Sequence, residues 1–444
     1  MLGINVEREE PTIVPPAEDT TKKGTLYFLS NLDYNFPCKV RSVYLFKPSK
    51  NIEGNVEGEV LVEVIKNALS KALVIYYPVA GRLTFDSEGR MAVDCTDEGA
   101  VFVEAEAGCT LEEIGDDTVS MGDLVYDVPA AKHIMDMPPL AVQVTKFSCG
   151  GFAMGICVNH LVFDGQTGMD FINSWGEIAR GLSLKVPPFF DRSILKGRNP
   201  PKIEFDHQEF LEIEDIPHVY DLYNEAIIYK SFGFDTVKLE KLKATATEDG
   251  AVVRCSTFEA LSGFIWKSRT QALKIPHDQK IKLLLVVDGR SKFDPPLPEN
   301  YFGNGVVIVS CLTTAGKFKR TNGKTTIIRG GTSPGDDSIG YRLLHQVDNR
   351  LLGSNKSKAF LGRKPDHCFL VSTVFRYHRL RMGTTLSCRK SDLPGLYGIG
   401  DIHGSSEREE KHQCASGFSC FCHEGLSRTH PTNLVARDMI ERLE

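Results

Sequence analysis

An α/β protein built from two units is what the sequence predicts, and three observations predict it. Strand-like and helix-like stretches alternate through residues 25–181 and again through 256–312. A proline- and charge-rich stretch with little periodicity, Val186 to Asp215, separates them. The chain has 444 residues, 41% of them hydrophobic, enough for two cores.

The elements follow in order. Thr25–Leu29 and Val40–Phe46 read as strands, with a turn after the first at Leu29–Asp33. Gly58–Ala72 places Val60, Val64, Ile65 and Leu69 on one helical face, and Pro78 and Gly81 break that helix. Arg90–Asp94 and Ala100–Ala107 read as strands. Pro139–Phe147 and Gly151–Asn159 look like a buried hairpin around Cys149-Gly150-Gly151. Gly168–Gly181 reads as a helix with Met169, Ile172, Trp175 and Ile178 as its apolar positions. In the second unit Phe232–Leu239 is strand-like, and Asp235–Leu242 leads towards a helix. Ser256–Leu273 is a strong helix, with Ser256 or Thr257 as N-cap and Glu259 in the first turn. Lys280–Asp288 and Val306–Leu312 are buried strands. After Gly316 the periodicity fades, and Lys317–Gly335 is polar and aperiodic.

Net charge is −6, which argues against nucleic acid as the main partner. No apolar run approaches the roughly 20 residues of a membrane span. The N-terminal segment lacks the apolar core of a secretory signal. Twelve cysteines without a C-x-x-C pair read as reduced thiols. A cytoplasmic protein is expected. The charge is unevenly spread. Residues 317–444 carry 21 Lys and Arg against 13 Asp and Glu, so the whole acidic excess lies in residues 1–316. Both tryptophans, Trp175 and Trp266, precede residue 317, and five of the twelve cysteines follow it.

The most informative segment is Cys157-Val158-Asn159-His160-Leu161-Val162-Phe163-Asp164-Gly165. An apolar strand ends at His160, and Gly165 marks the turn before the next helix. A neutral imidazole there can take a proton from a hydroxyl or amine. Asp164 could orient the ring or brace the loop. A solvent-facing histidine followed by an Asp-Gly turn fits the same residues.

His160-Leu161-Val162-Phe163-Asp164-Gly165 resembles the H-x-x-x-D-G motif of the BAHD acyltransferases. Tyr77-Pro78-Val79-Ala80-Gly81-Arg82-Leu83, Asn173-Ser174-Trp175 and Pro187-Pro188-Phe189 are similar to further segments of that family. So are Val287-Asp288-Gly289-Arg290 and Tyr301-Phe302-Gly303-Asn304, and the likeness covers about residues 20 to 316. The runs Val101–Ala105 and Asn199–Glu204 most resemble feruloyl and caffeoyl transferases acting on long-chain hydroxy acids or fatty alcohols. Shikimate or quinate hydroxycinnamoyl transferases come next.

The resemblance implies two similar chloramphenicol-acetyltransferase-like α/β domains with mixed sheets and a channel between them. It implies a monomer that uses acyl-CoA as co-substrate, a small hydroxyl compound as acceptor, and no resident cofactor or metal. His160 would be the general base. Arg290 would hold Asp164 in a structural ion pair beneath the loop. Ser256 and Thr257 could contact CoA phosphates, although a plain helix cap explains them equally well. The expected units are residues 1–190, a crossover over 191–225, and a partial second domain over 226–316.

The family's late D-F-G-W-G and T-x-W segments are absent, and no tryptophan follows Trp266. Reading the codons one nucleotide later suggests why. His378-Arg379-Leu380-Arg381-Met382-Gly383-Thr384 can then encode T-D-F-G-W-G-Q, the W being forced by Met382 before Gly383. Residues 322–361 and 410–424 can likewise encode strings like the family's late helix, strand and closing segment. Residues 317–444 are therefore expected to be an out-of-frame tail that leaves the second domain incomplete. His412, Cys420, Cys422 and His423 would be accidents of that tail, zinc being the other reading. A catalytically dead product with a folded N-terminal domain is the alternative to an active transferase.

Overall fold

The structure is a computed structural model that describes residues 4–48, 58–114, 120–197, 200, 232–248, 254–320, 369–371 and 397–398. In chain order its elements begin with β1 (Val6–Arg8), β2 (Thr12–Val14), β3 (Leu26–Phe28), β4 (Lys39–Lys47) and α1 (Gly58–Ile75). Next come β5 (Arg82–Phe85), β6 (Met91–Asp94), β7 (Ala100–Ala107), α2 (Leu111–Ile114), β8 (Leu140–Phe147), β9 (Phe152–Asn159) and α3 (Gly165–Ala179). The second unit holds α4 (Thr236–Thr247), α5 (Thr257–Ala272), β10 (Lys280–Asp288), β11 (Val306–Thr314) and α6 (Ala315–Arg320). Two short strands follow, β12 (Phe369–Val371) and β13 (Tyr397–Gly398).

The main sheet has the order β1-β7-β8-β9-β4-β13, with β2 also on β7. It is mixed: β7 and β8 are parallel, while β8–β9 and β9–β4 are antiparallel. Almost every residue of β8 and β9 is buried, which matches their near-continuous apolar sequence. Gly155 in β9 is required by crowding, since a Cβ there would lie 1.9 Å from the Leu124 carbonyl oxygen. Helices α1 and α3 cover one face. The Trp175 indole N–H donates to the Ile65 carbonyl (3.1 Å), and the Tyr76 and Ser174 hydroxyls pair at 2.8 Å.

In the second unit β10 pairs antiparallel with β11 along its whole length, and β12 adds parallel to β10. Trp266 of α5 packs with Ile281, Leu283 and Phe318 in a separate core. The fold is thus α/β with mixed sheets, as the sequence predicts.

Several local expectations are corrected. Residues 232–235 form no strand, and Asp235 instead caps α4, its carboxylate accepting the Lys238 N–H at 2.8 Å. The buried stripe of α1 is Val62, Ile65, Leu69, Ala72 and Leu73, and Val60 is 51% exposed. The apolar residues of α1 outnumber the positions its core face can take, so the periodicity alone admits a rotated stripe. Strand β5 begins at Arg82, directly after the break at Gly81. The second unit does not end at Gly316. Helix α6 carries Phe318, which is fully buried against Trp266 at a ring distance of 4.3 Å. Most of the expected crossover, including residues 201–231, lies outside the described residues. At its start Arg192 and Leu195 are buried, while Asp191, Ser193, Ile194 and Lys196 are exposed.

Candidate functional site

Strand β9 delivers His160 to the junction of the two units. Its backbone N–H donates to the Cys38 carbonyl (2.9 Å), which ties the residue to the start of β4. The imidazole stacks on Phe36, with centroids 4.8 Å apart. The residue as a whole is half-buried, yet Nδ1 is fully enclosed and makes no hydrogen bond. Burial pushes the His160 pKa down, against opposing pulls from its own carbonyl, Asp164, Asn304 and Asp33. The ring therefore stays neutral, and able to accept a proton, to more acid pH than an ordinary histidine. Its titration by NMR is expected to have a midpoint below about 6.5, the unperturbed value. The unfolded chain takes up the proton first, so this group's contribution to stability declines as pH falls through that value. A midpoint at or above it would show that burial does not govern the ring.

Asp164 does not touch the imidazole. It is the N-cap of α3 and accepts the Thr167 N–H (2.9 Å) and hydroxyl (2.6 Å). It also accepts the Gly305 N–H (3.0 Å) and faces the Arg290 guanidinium at 2.8 Å. Burial would raise the Asp164 carboxyl, but Arg290 and these donors hold it below the usual range. Arg290 also donates to the Gly303 carbonyl (2.8 Å) and to Asp288 (3.1 Å). Gly165 is the first residue of α3, and the Asp164–Arg290 pair joins the His160 loop to the second unit.

The sequence reading missed a second buried ion pair, between Asp33 and Arg192 at 2.9 Å, both with fully buried side chains. Asp33 also accepts the Ser30 N–H and hydroxyl, and both the backbone and the side-chain N–H of Asn304. Arg192 donates to the carbonyls of Phe302 (3.0 Å) and Val162 (2.9 Å) and lies over the Tyr27 ring. Burial opposes the Arg192 charge, but Asp33 outweighs it and holds the guanidinium firmly protonated. Asn304 reaches further, its Nδ2 donating to the His160 carbonyl at 2.8 Å.

Between the two pairs runs Tyr301–Gly305. Gly303 has φ +150°, and a Cβ there would lie 2.6 Å from Arg192 Nε. The Y-F-G-N resemblance already contained Asn304. Nothing in the sequence marked Asp33 or Arg192, because composition does not distinguish a buried charge from an exposed one.

Ser256 is an exposed helix cap. Its hydroxyl donates to Glu259 (2.6 Å), and the Glu259 carboxylate also takes the Ser256 N–H (2.7 Å). Thr257 is the buried first residue of α5. Ser256→Ala is expected to lower the unfolding free energy by about 1 kcal/mol, read from a denaturant midpoint. An unchanged midpoint would mean that the box does not hold the helix end.

A cavity of about 490 Å³ opens between Tyr27, Phe28, Tyr77 and Phe190, with Lys22 and Lys196 at its edge. His160 is not among its lining residues. Among the described residues no cluster of His, Cys, Asp or Glu could hold a metal ion. The candidates His412, Cys420, Cys422 and His423 lie outside the described residues. No helix of the described residues is long and apolar enough to cross a membrane.

A family model described as the Transferase family matches residues 4–329. An omega-hydroxypalmitate O-feruloyl transferase of Arabidopsis thaliana is 54% identical over 325 residues, 71% of this chain and 70% of that protein. A fatty alcohol:caffeoyl-CoA acyltransferase of the same plant is 51% identical over 319 residues, 70% of this chain and 72% of that one. The crystal structure of vinorine synthase superposes with a TM-score of 0.61 at 23% identity, covering 82% of this chain and 83% of that one.

Proposed function

Because the chain belongs to the Transferase family, that of the BAHD acyltransferases, we propose that it moves a hydroxycinnamoyl group, feruloyl foremost, from CoA to the hydroxyl of a long-chain omega-hydroxy fatty acid or fatty alcohol. The observation that carries this is His160, a half-buried imidazole at the end of β9, in a chain that is 54% and 51% identical to two such enzymes over about 70% of its length. His160 takes the acceptor's hydroxyl proton as that oxygen attacks the thioester carbonyl. The tetrahedral intermediate collapses, CoA leaves as thiolate, and the imidazolium returns the proton to it. No acyl-enzyme and no metal are required. Asp164, Gly165 and Arg290 support the loop that carries the base. Ser256 and Thr257 are candidate CoA contacts through the start of α5. The protein works as a cytoplasmic monomer on this reading.

Residues beyond about 320 are, in the same proposal, an out-of-frame translation of the family's closing segments. The match of the family model ends at residue 329. The chain as written then lacks the D-F-G-W-G segment and the closing part of its second domain. Turnover is expected to be weak or absent in this chain and restored when residues from about 320 are put back in frame. Sequencing the transcript across codons 315–325 tests the frame directly. CoA release from feruloyl-CoA and 16-hydroxypalmitate, assayed on both versions, tests the activity. Strong release by the chain as written overturns the frame proposal. Release with shikimate but not the hydroxy acid moves the acceptor to the alternative class. No release from either version with any acceptor overturns the function.

A further inference from the structure

Phe36 is 5% exposed, yet it joins none of the hydrophobic clusters of the described residues. The ring it meets is the His160 imidazole, with 4.8 Å between centroids and 21° between planes, an offset stack. Backbone bonds set it there. Asp33–Asn35 is a single 3₁₀ turn, and the Phe36 N–H closes it on the Asp33 carbonyl at 3.3 Å. Pro37 disfavours the helical region at Phe36, so the turn stops at that residue. The Phe36 carbonyl takes the Cys38 N–H (2.8 Å), and the Cys38 carbonyl takes the His160 N–H (2.9 Å). The turn itself is anchored at Asp33, whose carboxylate holds Arg192 at 2.9 Å.

The torsion that turns a histidine ring about its Cβ is broad, so these backbone bonds do not fix the plane of the imidazole. Nδ1 is enclosed and makes no hydrogen bond, so that nitrogen does not fix it either. A flat face laid against the ring does. We propose that Phe36 is a positioning residue for His160: its face holds the imidazole plane and covers one side of it, leaving the ring edge to meet the acceptor hydroxyl. This rests on the reading of His160 as general base. Burial, the largest influence on the His160 pKa, pushes it down, and a phenyl against the ring face is part of that burial. The charged groups that act on the ring, Asp164 and Asp33, are each paired with an arginine, Arg290 and Arg192. The Cys38 thiol on the same turn is neutral, burial pushing it up to about 11.

The test compares Phe36→Leu, which keeps an apolar side chain without a flat face, with Phe36→Tyr, which keeps the face. The His160 midpoint is read by NMR titration of the full chain as written, its signal being the one lost in His160→Gln. Phe36→Leu is expected to raise that midpoint towards about 6.5, the unperturbed value, as water reaches the freed ring. Phe36→Tyr is expected to leave it where it stands. In the frame-restored chain, Phe36→Leu is expected to lower kcat by about 10- to 10²-fold with KM within about twofold, because a misdirected base costs the transition state and not binding. The acid limb of its kcat–pH profile should move up with the midpoint, and Phe36→Tyr should keep the parent's kcat. If Phe36→Leu does not fold, Phe36→Met, flexible and without a flat face, reads the same comparison. A midpoint and kcat unmoved in the folded variant, or an equal loss in Phe36→Tyr, overturns the proposal. Undiminished transfer by His160→Ala overturns the base reading on its own, and the titration, which needs no turnover, still reads the stack.

Discussion

His160→Ala, made in the frame-restored chain, is expected to lower feruloyl transfer by about 10²–10⁴-fold, the usual worth of a positioned general base. The loss should fall on kcat, because the imidazole acts on the proton that moves in the transition state rather than on ground-state binding. Stability should change little. The ring is half-buried and its Nδ1 makes no hydrogen bond, while the contacts of the His160 backbone, to Cys38 and Asn304, survive truncation. The checks are initial rates with varied acceptor and a thermal unfolding curve. A rate within threefold of the parent would remove His160 from the chemistry.

Arg192→Leu is expected to cost about 3–5 kcal/mol of unfolding free energy, the range for leaving a buried charge without its partner. Asp33 would keep its donors from Ser30 and Asn304 but lose the only cation paired with it among the described residues. The carbonyls of Phe302 and Val162 would lose donors as well. A double variant, Asp33→Asn with Arg192→Leu, should recover part of the loss, since removing both charges ends the desolvation penalty. Urea unfolding of the single and double variants decides the matter. A single-variant cost under about 1 kcal/mol would place this pair with ordinary surface ion pairs.

Ala100–Ala107 and Lys280–Asp288 were read to the residue, because a buried strand is a short apolar run with sharp ends. The Ser256 cap and Glu259 were read because a capping box is a local signal. Phe232–Leu239 reads as strand-like and Asp235–Leu242 as leading towards a helix; the helix is what forms, starting at Thr236 behind the Asp235 cap. Asp33 lay inside what read as an ordinary turn, and Arg192 inside what read as a linker. They meet across 159 residues of chain, and Asn304 reaches Asp33 across 271.

Local pattern by itself determined the strands, the helix starts, and a histidine and an aspartate four residues apart at the end of an apolar strand. It did so because periodicity and capping depend on neighbours within a turn or two. Only the folded arrangement decided which charges lost their water. Asp164 turned to Arg290 rather than to the ring, and Asp33 with Arg192 became the support of the loop through Asn304. Desolvation is set by what distant segments pack on top of a charge, and no stretch of sequence carries that information alone.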